Sequence, residues 1–227
     1  MSATWDNFTY FTNDNEFIKS IEAGKSEPYD DGHNKSQLEL VKRYLAKYPT
    51  RNRVMLDIGA HIGSTMLPYS RLFQQVYGFE PNRESYNFCI KNIYHNNVTN
   101  CWVENCFVLD RKTLGVPVQH NTINTGCFYF KEDKNAESPI PSKVLDEDSR
   151  YSNIDFIKID TEGAEWYVLN GAINLIQKWK PLIQAEINGL SEQNFGISRE
   201  SLLNLFDSLD YQQIPETDFF CHKDYLF

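Results

Sequence analysis

The sequence predicts an α/β domain whose sheet is mostly parallel and covered by helices on both faces. Three observations carry that reading. Short apolar runs such as "RVMLDIG" and "IDFIKID" stop at a glycine or an acid, as buried parallel strands do. Stretches with apolar residues at helical spacing separate such runs through the middle of the chain, the alternation of β–α–β units. The 227 residues suffice for one well-buried domain and are few for two, and no internal repeat or clear linker divides them.

Residues 1–34 are polar and turn-rich, ending in "SEPYDDGHN", and are expected to form an N-terminal extension or lid over a single domain at 35–227. Leu38, Val41, Leu45 and Tyr48 recur at helical spacing, with Ser36 or Asn34 available as the cap. "RVMLDIG" is the first central strand. "STMLPYSRLF" reads as helix, with Pro68 in its first turn, where a missing N–H costs little. "QVYGFEP" is the next strand, and "RESYNFCIKNIYHNN" an amphipathic helix with Tyr86, Ile90, Ile93 and Tyr94 inward. "CWVENCFV" makes a third strand. The stretch 110–150 is less regular, with strands near Gly115–Val118 and Gly126–Lys131 and a loop at "EDKNAESPIPS". Asp155–Ile159 is a fourth strand, followed by a helix over Gly163–Lys178 and a fifth strand, "PLIQAEI". A helix near Arg199–Leu209 and two strands, "YQQIP" and "DFFCHKDYLF", close the chain.

Composition narrows the function. A formal net charge of −9 disfavours a sequence-independent grip on nucleic acid phosphates or on anionic membranes, both of which need a basic face. A neutral sugar or a cationic ligand suits it better. The five cysteines, at 89, 101, 106, 127 and 221, form no C-x-x-C pair, which points to reduced thiols and a cytoplasmic setting. No apolar run approaches the roughly 20 residues of a membrane span. "MSATWDNFTYF" lacks the basic start and apolar stretch of a signal peptide, so the N-x-[ST] matches at Asn7, Asn34 and Asn97 read as chance. Aromatic residues make up 14% of the chain; most belong in a core, and some make platforms for sugar faces.

"LDIGAHIGS" places Gly59 and Gly63 between strand and helix, where glycine allows a sharp turn and a close ligand. Glu80 ends the next strand, the position from which an acid accepts hydrogen bonds from ribose hydroxyls. A dinucleotide fold wants three glycines in G-x-G-x-x-G around a pyrophosphate. Here two glycines stand four apart behind Asp57, which repels phosphate. S-adenosylmethionine, with an ammonium and a sulfonium, fits an acid there. The plain structural reading is a tight β–α turn.

With "LDIGAHIGS", "VYGFEPN", "IDFIKIDTEGAEWYVLNGA" and "KPLIQAEI" in this order over residues 54–188, the chain resembles the FkbM-type S-adenosylmethionine-dependent methyltransferases. The resemblance implies a doubly wound, Rossmann-like seven-stranded sheet with its last strand antiparallel. It also implies methylation of a hydroxyl, often on a sugar or polyketide. Carried to this chain, it makes Asp57, Gly59, His61 and Gly63 cofactor contacts at the turn, Glu80 the ribose contact and Asn105 a contact to the adenine edge. His61 stands where the family usually carries asparagine. Residues 1–34 and 110–150 match poorly and are expected to choose the acceptor.

Asp160, Glu162 and Glu165 gather where the fourth strand gives way to a helix. Ligands of open α/β sheets bind at carboxyl strand ends, and an alcohol acceptor gains from a base that removes its proton. Asp160 is expected to be that base or to position the acceptor; the alternative is a structural carboxylate accepting backbone N–H groups. Glu162 either orients the acceptor or holds the loop. Glu165 suits the positive end of the helix dipole. His61 is an auxiliary base, a contact to the methionine end, or a satisfied polar side chain. His33 reaches over the site or is a turn residue. His95, His120 and His222 carry no constellation, and Cys106 is packing. A rival expectation is magnesium held by Asp160 with Glu162 or Glu186.

The function expected is therefore transfer of a methyl group from S-adenosylmethionine to a hydroxyl of a sugar or glycan, with a lipid or polyketide hydroxyl as the nearest alternative. A nicotinamide-dependent oxidoreductase is a second enzyme class, disfavoured by the missing third glycine and by Asp57. A non-catalytic cofactor- or glycan-binding module is a third reading. No N-P-P-Y-type element follows the fourth strand, which counts against methylation of nucleobase amines.

Overall fold

Every residue of "VMLDI" (54–58) and of "IDFIKI" (154–159) is buried, so both faces of these strands are covered and they form the centre of the sheet. The computed structural model describes residues 1–23, 37–119 and 128–226. In chain order these form β1 (Ser2–Trp5), β2 (Phe8–Phe11), α1 (Asn15–Glu22), α2 (Gln37–Lys47), β3 (Val54–Ile58), α3 (Met66–Tyr69), β4 (Gln75–Phe79) and α4 (Arg83–His95). There follow β5 (Cys101–Glu104), β6 (Phe107–Val108), β7 (Leu114–Gln119), β8 (Phe128–Glu132), β9 (Ile140–Lys143), β10 (Ile154–Ile159), α5 (Glu165–Asn170) and α6 (Ile173–Trp179). The rest is β11 (Leu182–Ala185), α7 (Leu190–Phe195), α8 (Arg199–Ser208), β12 (Tyr211–Gln213) and β13 (Phe219–His222).

The main sheet has seven strands in the order β12-β13-β11-β10-β3-β4-β5. It is mixed: β5, β4, β3, β10 and β11 run parallel, while β13 is antiparallel to both β11 and β12. Alternation along the strands divides the core. Leu56, Ile58, Ile157 and Ile159 join one layer with Val168, Ile176 and Phe206 of α5, α6 and α8. Met55 and Phe156 join the other with Val41 and Tyr44 of α2 and Met66 of α3. Asp57 and Lys158 are register partners on this second face. At the opposite end of the strands, Arg53 donates to both oxygens of the buried Asp155 at 2.9 and 2.7 Å, tying β3 to β10.

Several boundaries differ from the sequence reading. "CWVENCFV" is two strands, because the chain leaves the main sheet after Glu104; β6 belongs to a second sheet of order β6-β9-β7-β8. The expected "EDKNAESPIPS" loop ends in β9, part of that sheet. The helix over Gly163–Lys178 breaks in two at Gly171, where a Cβ would collide with the carbonyl oxygen of Leu109. The helix at "STMLPYSRLF" is one turn, and α7 was not foreseen.

The N-terminal segment carries regular structure that the sequence reading did not assign. Residues 1–22 form a hairpin and a helix whose Phe8, Tyr10 and Phe17 pack on Ile62 and Leu67, just beyond the glycine turn. The remainder of the expected extension, with His33, lies outside the described residues, as do His120 and Cys127. This docking turns the buried face of α4 away from part of the expected one: Ile93 packs on the core as expected and Tyr86 is half-buried, but the other two residues are not. Ile90 and Tyr94 are 43% and 85% exposed, whereas Ser85, Cys89 and Asn92 are buried. Asn92 and Asn96 act as a surrogate strand for β2. The Asn92 amide accepts from Phe11 N at 2.7 Å and donates to Phe11 O and Ile62 O at 3.1 and 2.9 Å. Asn96 accepts from Thr9 N and donates to Thr9 O at 2.9 and 2.7 Å.

Asn92→Ala would leave buried backbone groups unpaired, each costing about 1–3 kcal/mol. The expected outcome is a lower urea midpoint and faster proteolytic release of residues 1–22; an unchanged midpoint and cleavage rate would contradict this account of the docking.

Candidate functional site at the strand-order switch

After β3 the chain builds β4 and β5 on one side, and after β9 it returns to build β10 and β11 on the other. Adjacent carboxyl ends at such a switch leave a crevice for a ligand. Residues 59–63 and 160–163 leave the sheet here, close enough that a Cβ on Gly59 would overlap the carbonyl of Asp160. Gly59 has φ +89 and Gly63 φ +84, a region costly for L side chains. Gly59 N and Ala60 N both donate to Phe79 O at 3.0 Å, and Asp160 N donates to Ile58 O at 2.9 Å.

Two non-glycine residues here also have left-handed backbones, His61 (φ 49) and Glu162 (φ 55). Such conformations persist only where the surroundings over-determine them. His61 N donates to Glu80 Oε2 at 2.7 Å. The Glu162 carbonyl accepts from Asn194 Nδ2 at 3.0 Å. Glu165 organises the same loop. It is buried rather than solvated at a helix end, and its Oε1 accepts from Thr161 N, Thr161 Oγ1 and Gly163 N at 3.0–3.2 Å while Ser191 Oγ donates to Oε2 at 2.8 Å. The helix dipole alone therefore does not account for Glu165.

The acids are held by a lysine that sequence reasoning passed over. Lys158 Nζ lies 3.0 Å from Asp160 Oδ2 and 3.8 Å from Asp57 Oδ1. A lysine within a buried strand must carry a partner, and that signal was present in "IKID". Asp57 is fully buried, and neither of its oxygens has a hydrogen-bond partner. Burial pushes its carboxyl up to about 6, Lys158 pulling it down and Asp160 pushing it up. In this conformation Asp57 underlies the turn and does not reach its surface. The Asp160 side chain is 38% exposed. Loss of hydration would raise its carboxyl, but the charge and hydrogen bond of Lys158, then a hydrogen bond with Glu186, hold it below the ordinary range. Loss of hydration, then the charges of Asp160 and Glu162, push Glu186 up to about 8; water at this exposed residue screens that rise.

Glu80 is buried at the end of β4, accepting from His61 N and Asn82 N, each at 2.7 Å. Burial raises it to about 7 against the pull of those two N–H groups. Asn105 sits beside it, its amide donating to Glu80 O and Pro81 O at 2.8 and 2.9 Å, so its nitrogen fastens the strand end. The His61 ring is mostly shielded, with Nε2 3.8 Å from Oδ2 of Asp14, the α1 cap. Burial lowers it to about 4 against the pull of Asp14, so the imidazole is neutral at pH 7. Asp14 was also missed, although "NDNEF" has the pattern of a helix cap. His95 packs edge-on to Phe11, and His222 sits beside Asp224 on β13, away from the switch. Cys106 is buried, its thiol pushed up to about 12 by burial, as packing requires. Among the described residues no three His, Cys, Asp or Glu side chains gather as metal ligands, and Lys158 already supplies a cation to Asp160. No helix among them is long and apolar enough to cross a membrane.

Glu80 gives a signed pH effect. Its carboxyl ordinarily titrates near 4.5 and is raised to about 7 by the fold. Between those values the unfolded chain loses the proton that the folded chain keeps, so stability falls as pH rises, by at most about 1.4 kcal/mol per unit. Glu80→Gln is expected to remove that slope in urea unfolding between pH 4.5 and 7; parallel profiles for the two proteins would contradict it.

The Methyltransferase FkbM domain family matches residues 57–213, more than half of the chain. No curated protein matches. Among solved structures, monomeric WbdD superposes with a TM-score of 0.53 at 13% identity, over 83% of this chain and 41% of its own. At that identity the likeness is one of fold. Methyltransferase FkbM from Methylobacillus flagellatus KT gives 0.49 at 21% identity, over 75% of this chain. This chain spans only 43% of that one. Precorrin 8W decarboxylase from Methanobacterium thermoautotrophicum gives 0.48 at 15%, over 89% and 82% of the two chains. By the match over 57–213, the chain belongs to the FkbM methyltransferase domain family.

Proposed function

We propose that the chain is an S-adenosylmethionine-dependent O-methyltransferase acting on a hydroxyl of a sugar or glycan. The observation that carries this reading is one juxtaposition: a turn held by the left-handed glycines Gly59 and Gly63, Glu80 on the next strand end, and a partly exposed Asp160 paired with Lys158 across the switch. The residues present fit the cofactor. Glu80 uses two acceptor positions on backbone N–H groups and keeps lone pairs for a ribose diol. Two acids against one lysine leave a net negative charge suited to a cationic ligand. Gly59, Gly63 and His61 would line its methionine side, with Asn105 fixing the strand end near the adenine; Asp57 would act from beneath the turn.

When bound, S-adenosylmethionine supplies a methyl group on a sulfonium, ready for in-line displacement. Asp160 orients the acceptor hydroxyl and takes its proton as the new C–O bond forms and the C–S bond breaks. Its lowered proton affinity makes it a better positioner than base, at the low end of the ~10²–10⁴-fold typical of general bases. Glu162 and neutral His61 border the same loops as supporting residues. Lys158 stands where magnesium would neutralise the acids, so the reading works without an ion. Residues 1–34 would serve as the lid of one methyltransferase domain over 35–227, working in the cytoplasm. The net charge of −9 favours a neutral acceptor over nucleic acid or membrane, and the aromatic content favours sugar faces.

The test is incubation with methyl-labelled S-adenosylmethionine and a panel of sugars and glycans, with magnesium and with chelator. Label on a sugar hydroxyl supports the reading; cofactor binding without transfer to any acceptor would leave a binding module. Asp160→Asn is expected to abolish turnover while S-adenosylhomocysteine affinity stays within a few-fold, measured by calorimetry; retained turnover would remove Asp160 from the chemistry.

A further inference from the structure

We infer that Lys158 is a positioning residue that keeps Asp160 ionised as the counter-charge to the sulfonium, and so sets the preference for S-adenosylmethionine over its neutral thioether product. This rests on the cofactor reading above and adds a role for a side chain that does not itself face the ligand. The geometry carries it. Lys158 is buried, extends along the second face of β10, and reaches Asp160, whose side chain is partly open to solvent. Its other neighbour, Asp57, has no hydrogen-bond partner and is fully buried, so it offers nothing to a ligand directly. A lone buried carboxylate of this kind is costly unless a cation stands near it. Asp57 thus gives Lys158 a reason to stay charged and fixed, and Lys158 turns that fixed charge on Asp160. The cluster keeps one net negative charge, at the switch surface.

The other charged groups around Asp160 act in known directions. Glu186 shares a hydrogen bond with it from the end of β11, and Glu162 lies next to Glu186. Glu80 and Asp57 add negative charge from β4 and β3, and His61 from the turn is neutral, beside Asp14. Lys158 is the cation that reaches Asp160 from within the sheet, so its removal lets Asp160 take up a proton in the ordinary working range.

The experiment compares the affinities of S-adenosylmethionine and S-adenosylhomocysteine by calorimetry from pH 5 to 8. Their ratio cancels the ribose and amino-acid contacts, Glu80 included, and isolates the sulfonium charge. In the wild type Asp160 stays ionised over this range, so the ratio is expected to change with pH only through the charges of Asp57, Glu80 and Glu186. Lys158→Met risks misfolding through the unpaired Asp57, so Lys158→Met with Asp57→Asn is the working variant; its preference for the sulfonium should drop about tenfold as pH falls, the size of a unit-charge effect at partly screened range. Lys158→Arg should restore the wild-type profile, and Asp160→Asn should lower the ratio at every pH. A double-variant ratio that follows the wild-type profile across the pH range would overturn the role of Lys158. Failure of the wild-type protein to bind either nucleoside would instead overturn the cofactor reading.

Discussion

The contact on which the site depends is the ion pair of Lys158 with Asp160, backed by Asp57. Without a cation, two acids on adjacent buried strand ends would repel, and at least one would take up a proton. With Lys158 between them the strands keep their register, and Asp160 stays charged where the sheet opens to solvent. Removing Lys158 would leave the fully buried Asp57 without a cation, a loss that for buried pairs typically costs about 3–5 kcal/mol. Stability and charge presentation are therefore properties of the same three side chains.

Around that contact the backbone is held in conformations it would not choose. His61 and Glu162 both have left-handed backbones, each fixed by a hydrogen bond from a different element: Glu80 on β4 for one and Asn194 on α7 for the other. Glu165 gathers the loop between β10 and α5 through three donors within it and Ser191 beyond it. The N-terminal hairpin and α1 pack against the glycine turn through Ile62, with Asp14 beside His61. A shift in any of these would move the strand ends at which a nucleoside would lie.

Much of this was legible in the sequence. "RVMLDIG" and "IDFIKID" are apolar without alternation, which only a strand covered on both faces permits, and the glycine spacing with Glu80 located the switch. Other parts were not legible, for physical reasons. Asn92 and Asn96 look like solvated helix residues until β2 supplies backbone groups for their amides, so the buried face of α4 was only partly placed, Ile93 correctly and Ile90 and Tyr94 not. The break at Gly171 comes from the close approach of Leu109, a contact between segments far apart in the chain. Lys158 was readable in principle, but its partners follow from the register of β10 on β3, which periodicity does not give.

The most direct test of the central claim is a crystal structure of the protein with S-adenosylhomocysteine. The account predicts the ribose hydroxyls on Glu80, the sulfur toward the Asp160 carboxylate, and Lys158 still joined to that carboxylate beneath. A nucleoside bound elsewhere, or an Asp160 side chain turned away from the sulfur with Lys158 detached, would contradict it.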